Sequence, residues 1–229
     1  MNPATVAEKV RAAGVDHHTA ARAMVNALAT NRGLAPPWDA PVLDLPTLAD
    51  VNEVGEVHQL LLGRQDGQRG EQGSYYTPDP LAGFLARFVM DIQMSKLGDR
   101  HPMDVLLMDP ACGAGVLLVR AARALTARLV EVELGCRPTD ALVRGLLPHL
   151  AADCVFGVDV DPVAVDLTKS ALWLESDGVP PITWMDRNVI VGNVLEGDEP
   201  PKLAERQQSF AGQPQTEGAL FDLEPQEAT

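Results

Sequence analysis

The sequence predicts an α/β fold, a parallel sheet wound with helices and preceded by an all-helical region, and three observations predict it. Apolar residues recur at helical spacing from residue 4 to residue 96, the pattern changes after Gly98 to short apolar runs of strand length, and those runs alternate with further helical stretches. Strands separated by helices need crossover connections, which are right-handed and give parallel strands with helices on both faces.

The helical region begins with Val6, Val10, Ala13, then Ala20, Ala23, Met24, Ala27 and Leu28, broken at Gly14 and ending near Gly33, which reads as two short helices. Leu34 to Pro46 holds four prolines and reads as a connector, because proline lacks the backbone donor that a helix or strand needs. A helix is expected from Thr47 to Leu62, a polar glycine-rich loop from Arg64 to Gly73, and another helix from Pro80 to Lys96 with Leu81, Phe84, Leu85, Phe88, Val89 and Ile92 on one face. Strands are expected at Asp104 to Met108, Cys154 to Val158 and Asn188 to Val191. Helices from Val116 to Val132, from Pro138 to Ala152 and from Pro162 to Leu174 fall between them. Beyond Gly197 the chain turns to Pro, Gln, Glu and Gly, a composition expected of a disordered tail. The boundaries are thus 1–98, 99–197 and 198–229.

Eighteen Lys and Arg against 32 Asp and Glu leave a formal charge of -14, so the average surface repels a phosphate backbone, and no stretch forms a basic arm. No apolar run approaches the ~20 residues that cross a bilayer, and charged residues interrupt the N-terminus where a signal peptide would be apolar. A cytoplasmic protein without a membrane partner is expected. Cys112, Cys136 and Cys154 form no CxxC pair and are expected to be buried thiols; the five histidines form no metal or catalytic pattern and are expected at exposed helix positions.

Two stretches carry chemistry. Asp109-Pro110-Ala111-Cys112-Gly113-Ala114-Gly115 ends the first strand, where open parallel sheets bind ligands, and two glycines there let the chain turn sharply and its backbone approach a ligand. The same pattern also describes a bare strand-to-helix turn. A nicotinamide fingerprint fits worse, since Leu118 stands where the third glycine would be. On the ligand-binding reading, a branched side chain at Gly115 is expected to fill ligand space and leave the helices intact. Val158-Asp159-Val160-Asp161-Pro162 ends the second strand. A carboxylate at that place can accept both hydroxyls of a ribose, and Asp159 is the candidate; Asp161, just before a proline at the first helical position, is expected to cap the next helix.

With these stretches, Gly55-Glu56-Val57-His58-Gln59-Leu60-Leu61, Gly73-Ser74-Tyr75-Tyr76-Thr77-Pro78 and Asp186 to Leu195 complete a set of ordered signals. From Val54 to Gly197 the chain resembles the S-adenosylmethionine-dependent N6-adenine DNA methyltransferases whose cofactor motifs precede the catalytic one. The resemblance implies a Rossmann-like fold with an incomplete parallel sheet, and S-adenosylmethionine as cofactor. It implies that a loop at 70–80 covers the cofactor, with Tyr75, Tyr76 and Thr77 over the methionine end. Asp109, Pro110, Ala111, Gly113 and Gly115 would line it from below, Asp159 would hold the ribose, Val160 would pack on adenine and Asn193 would bond its edge. A cationic sulfonium suits carboxylate and aromatic neighbours.

The family's catalytic Asn/Asp-Pro-Pro-aromatic motif is missing. Glu199-Pro200-Pro201-Lys202 has no aromatic, and Ala35-Pro36-Pro37-Trp38 has a methyl where the polar group belongs. The expectation is therefore a cofactor-binding subunit or fragment of a split enzyme, serving a restriction-modification or phage-defence system. A second chain would supply the catalytic motif, the remaining strands and the contacts to DNA, and it would cover the apolar edge that the first strand otherwise exposes. Two other classes remain open on the residues alone: a non-catalytic S-adenosylmethionine-binding regulator, and a methyltransferase acting on protein or small molecules.

Overall fold

The computed structural model describes residues 2–46, 48–62, 79–97 and 101–211. Two helices open the chain, α1 (Pro3–Ala12), with the Asn2 side chain accepting from the Ala4 N–H, and α2 (His17–Asn31), capped likewise by Asp16 on Thr19. Such side-chain acceptors satisfy amide groups that a helix start leaves orphaned. The proline-rich connector leads to α3 (Val51–Leu62), and α4 (Asp79–Leu97) follows. Then come β1 (Leu107–Asp109), α5 (Val116–Leu134), α6 (Asp140–Cys154), β2 (Val155–Asp159), α7 (Pro162–Glu175), β3 (Val189–Val191) and α8 (Pro201–Ala211).

The three strands form one parallel sheet in the order β1-β2-β3, with Leu107 opposite Val155 and Gly157 opposite Val189. Side chains alternate along β2. Val155 joins a core shared by α4, α5, α6 and α7, while Phe156 and Val158, on the alternate face, are fully buried as well. A second core unites α1, α2 and α3 with one side of α7 through Val6, Val10, Met24, Leu28, Val54, Leu61, Leu167 and Trp173. Helix α7 therefore belongs to both and joins the helical region to the sheet. Among the described residues no helix is long and apolar enough to cross a membrane.

Trp38 shows why the proline-rich connector holds its course. Asn26 brackets its backbone, donating to the Trp38 carbonyl at 2.8 Å and accepting from its N–H at 3.1 Å. The indole N–H reaches the Ser170 hydroxyl at 3.0 Å, and the Arg22 guanidinium lies 4.7 Å above the ring. Arg22 and His18 both bond Asp166 of α7, at 2.7 and 2.6 Å.

Several expectations are corrected. The first strand lies at 107–109 rather than 104–108, because Pro102–Asp104 forms a 3-10 turn that His101 and Asp104 cap reciprocally. Residues 201–211 of the expected disordered tail are helical: Leu203 is buried, Arg206 donates to the Met103 carbonyl, and Lys202 pairs with Asp153. Cys136 is exposed, although Cys112 and Cys154 are buried. His58 is buried rather than exposed. The apolar face of α4 points outward, and the helix buries Ala82, Ala86 and Met90 instead.

Candidate functional site

The candidate site is the carboxyl end of the sheet. After β1 the chain turns through Gly113 and Gly115, with φ of 53° and 84°, left-handed values that glycine adopts freely. The Cys112 N–H bonds the Val158 carbonyl at 3.0 Å, which carries the turn onto the end of β2. There Asp159 accepts from the Gly113 N–H with one oxygen, at 2.8 Å, and from the Asp161 N–H with the other, at 2.9 Å. Thr168 of α7 closes the clamp by donating to the Gly113 carbonyl at 2.8 Å. Each carboxylate oxygen has two lone pairs, so Asp159 fixes the turn and keeps acceptor capacity for a ligand.

Asp109 stands half-buried beside this carboxylate and accepts from the Ala111 N–H at 3.1 Å. Burial raises its pKa, the amide opposes that, and the Asp159 charge adds to it. A cationic group placed between the two carboxylates would offset the repulsion that Asp109 meets there. Burial likewise pushes the Cys112 thiol up to about 12, so it is a packing residue rather than a nucleophile. Among the described residues no cluster of His, Cys, Asp and Glu could hold a metal ion.

The two glycines differ in kind. A Cβ on Gly113 would meet nothing within 4 Å, so this position faces open space that a ligand could fill. A Cβ on Gly115 would stand 3.0 Å from both the Cα and the hydroxyl of Thr168. The expectation that a side chain at Gly115 fills ligand space is therefore corrected: it would strike α7. A similar constraint holds Gly55 of α3, whose Cβ would come 2.7 Å from that of Ala114.

The structure brings Asp109, Pro110, Ala111, Gly113, Gly115 and Asp159 together at the strand ends. Pro110, Ala111 and Val160 are exposed there, Val160 at 63%. Asn193 follows Gly192, whose N–H bonds the Asp159 carbonyl at 2.9 Å; its side chain accepts from the Leu195 N–H and donates to Glu196. Tyr75, Tyr76 and Thr77 lie outside the described residues.

Asp161 caps α7 through the Val163 N–H as expected, and it also bonds the buried His58 ring at 2.6 Å, a contact that sequence reasoning missed. The signal was present: His58 lies four residues after Val54 and seven after Val51, on the buried face of α3. Burial would raise the Asp161 pKa, but the hydrogen bond and charge of His58, with the Val163 and Ala164 amides, outweigh it and hold the carboxyl below its ordinary value. A depressed carboxylate stabilises the fold above its unfolded pKa, and the contribution is lost as pH falls through the folded one. Asp161→Ala is expected to lower the melting temperature by several degrees at pH 7, with a gap to the unmodified chain that narrows as pH falls below ~4. Thermal melts across that range check it, and a pH-independent gap would refute it.

A strand-end carboxylate tied to a glycine turn at the carboxyl edge of a parallel sheet defines a class, the α/β domains that bind a ligand at this edge. The model of the family described as N-6 DNA Methylase matches residues 49–200, and the chain belongs to that family. Searches among curated proteins and among solved structures found no match.

Proposed function

We propose that this chain is the S-adenosylmethionine-binding subunit or fragment of an adenine-specific (N6) DNA methyltransferase of Rossmann-like fold, working in a restriction-modification or phage-defence system beside a partner chain that carries the catalytic motif. The observation that supports it best is the bond from Gly113 to Asp159, which sets a carboxylate beside an open glycine turn in a chain of the N-6 DNA methylase family. The residues fit the cofactor. Asp159 would hold the ribose hydroxyls, the open side of Gly113 would admit the ligand against the backbone, exposed Val160 would pack on the adenine, and Asp109 would face the cationic end. Tyr75, Tyr76 and Thr77 would cover the methionine end, and Pro110, Ala111, Gly115 and Asn193 would line the cofactor. When bound, the cofactor supplies an electrophilic methyl group.

Calorimetric titration of the purified chain with S-adenosylmethionine tests this. Asp159→Ala is expected to weaken binding about tenfold or more, since a hydrogen bond to a charged group contributes about 1.5–3 kcal/mol. Asp161→Ala is expected to weaken it less, because that side chain is spent on His58 and the helix cap. Equal affinity for the two variants would remove Asp159 from its role.

A further inference from the structure

Helix α3 meets both turns of the candidate site. Gly55 packs on the first, so closely that a Cβ there would lie 2.7 Å from the Ala114 Cβ. One turn further along the helix, His58 meets the second: its Nε2 lies 2.6 Å from an Asp161 oxygen, across 103 residues of sequence. An ionised carboxylate only accepts, so Nε2 carries a proton and donates it. Gly55 and His58 share one side of the helix by their spacing, and α3 therefore lies across the ends of both β1 and β2.

Histidine is an unfavourable choice for that place on packing grounds. Its side chain is 4% exposed, on the face of α3 that buries Val51, Val54, Val57 and Leu61, and its Nδ1 has no hydrogen-bond partner among the described residues. A leucine would bury similar area without leaving a polar atom unpaired. Asp161 has no need of the ring to stay solvated, since its side chain is 28% exposed and its other oxygen accepts from the Val163 N–H at 2.9 Å. What the ring adds is direction. With one oxygen held by α7 and the other by α3, the Asp161 side chain is fixed, and its backbone N–H stays on one Asp159 oxygen at 2.9 Å. The second Asp159 oxygen is held by the Gly113 N–H. Both amides that aim the Asp159 carboxylate thus belong to turns that α3 touches.

We propose that His58 is a positioning residue for cofactor binding: through Asp161 it fixes the amide that aims the Asp159 carboxylate at the ribose hydroxyls. The inference rests on the reading of the strand ends as the S-adenosylmethionine site, and it adds to that site a residue that itself touches no cofactor. A carboxylate aimed in advance loses less freedom when the ligand arrives, and the difference appears as affinity. The effect of His58 must then run through Asp159 and shrink once Asp159 no longer bonds the ribose.

Calorimetric titration of the full chain with S-adenosylmethionine tests this. His58→Leu removes the bond and keeps apolar bulk, His58→Phe does so with a ring and guards against a packing defect, and His58→Gln returns an N–H donor near the place of Nε2. The Leu and Phe variants are expected to bind roughly three- to tenfold more weakly, the effect of about one hydrogen bond, and the Gln variant within about twofold of the unmodified chain. Added to Asp159→Ala, titrated at correspondingly higher concentration, His58→Leu should weaken binding by less than about twofold more. Leu and Phe variants that bind like the unmodified chain would overturn the proposal. So would a Gln variant as weak as the Leu variant, since the bond would then not be the cause, and so would an undiminished effect of His58→Leu beside Asp159→Ala. Failure of both apolar variants to fold, read by circular dichroism, would assign His58 to the core alone and overturn it too. The cofactor reading itself falls on different results: no binding by the unmodified chain, or equal affinity for Asp159→Ala and Asp161→Ala. Either would take the proposal with it, because His58 would have no ligand-binding carboxylate to act through.

Discussion

The purified chain is expected to leave DNA unmethylated at adenine, with activity appearing only when a partner carrying the missing motif is added. Methyl transfer needs the adenine amino group held in line with the sulfonium, and positioning of that kind is worth up to about 7–11 kcal/mol of barrier. A flipped base is read by hydrogen bonds to its edge and by stacking on an aromatic ring. The pair Pro180-Pro181, between Val179 and Ile182, has neither an acceptor side chain before it nor an aromatic after it, and the other two Pro-Pro pairs are not free to do that. Trp38 is committed to Ser170, Asn26 and Arg22, and Ala35 offers no acceptor side chain. Pro200 is buried and Pro201 opens α8. Transfer of a radiolabelled methyl group to adenine should stay at background for the chain alone. It should rise by orders of magnitude with the partner and vanish when the partner's catalytic Asn or Asp becomes alanine. Raising salt would screen the acidic surface without creating a site. Adenine methylation by the purified chain would refute the split enzyme.

Gly115→Val is expected to destabilise the whole fold rather than only the cofactor site. The residue sits at φ 84°, and its Cβ would press against the backbone and hydroxyl of Thr168, 3.0 Å away. A left-handed conformation costs an ordinary residue roughly 1–2 kcal/mol, and forcing a side chain into filled space adds about 1–3 kcal/mol. Native stability is only about 5–15 kcal/mol, so the melting temperature should fall by roughly 10 °C or more, with loss of helical signal if the cost is at the upper end. Gly113→Ala is the control. Its Cβ enters open space, so at φ 53° it bears only the left-handed cost; it should lower the melting temperature by less than Gly115→Val and weaken cofactor binding instead. A stable Gly115→Val chain that fails only in binding would show instead that a side chain at this position enters ligand space rather than α7.

The contrast between the two glycines shows how far the sequence was legible. The turn, the strand-end carboxylate and the order of the elements follow from local residue types and periods, and the structure joins Asp159 to Gly113 across the two motifs. What lies opposite a residue is not local: Thr168 is far from Gly115 in sequence, and only the packing of α7 makes that glycine structural. The same reason hid α8, whose composition is that of a tail but whose Leu203 and Arg206 are held by distant groups. His58 was legible by period and was missed because histidine was weighed as a ligand rather than as the partner of a capping carboxylate. The outward face of α4 was visible as a stripe, yet periodicity finds a face without saying what covers it.

The parallel sheet also sets an order of events during synthesis. Arg11 of α1 reaches the Leu60 carbonyl of α3 at 2.5 Å, a pairing available once the first 62 residues have left the ribosome. β1 must wait until Val155 emerges, and β3 comes later still. Distant pairings close slowly, and apolar groups uncovered in the meantime are open to misassociation. For a nascent chain that interval coincides with an uncovered α4 ridge, so the yield of native protein becomes a race between sheet closure and aggregation. A low temperature, which weakens apolar association, favours the first runner.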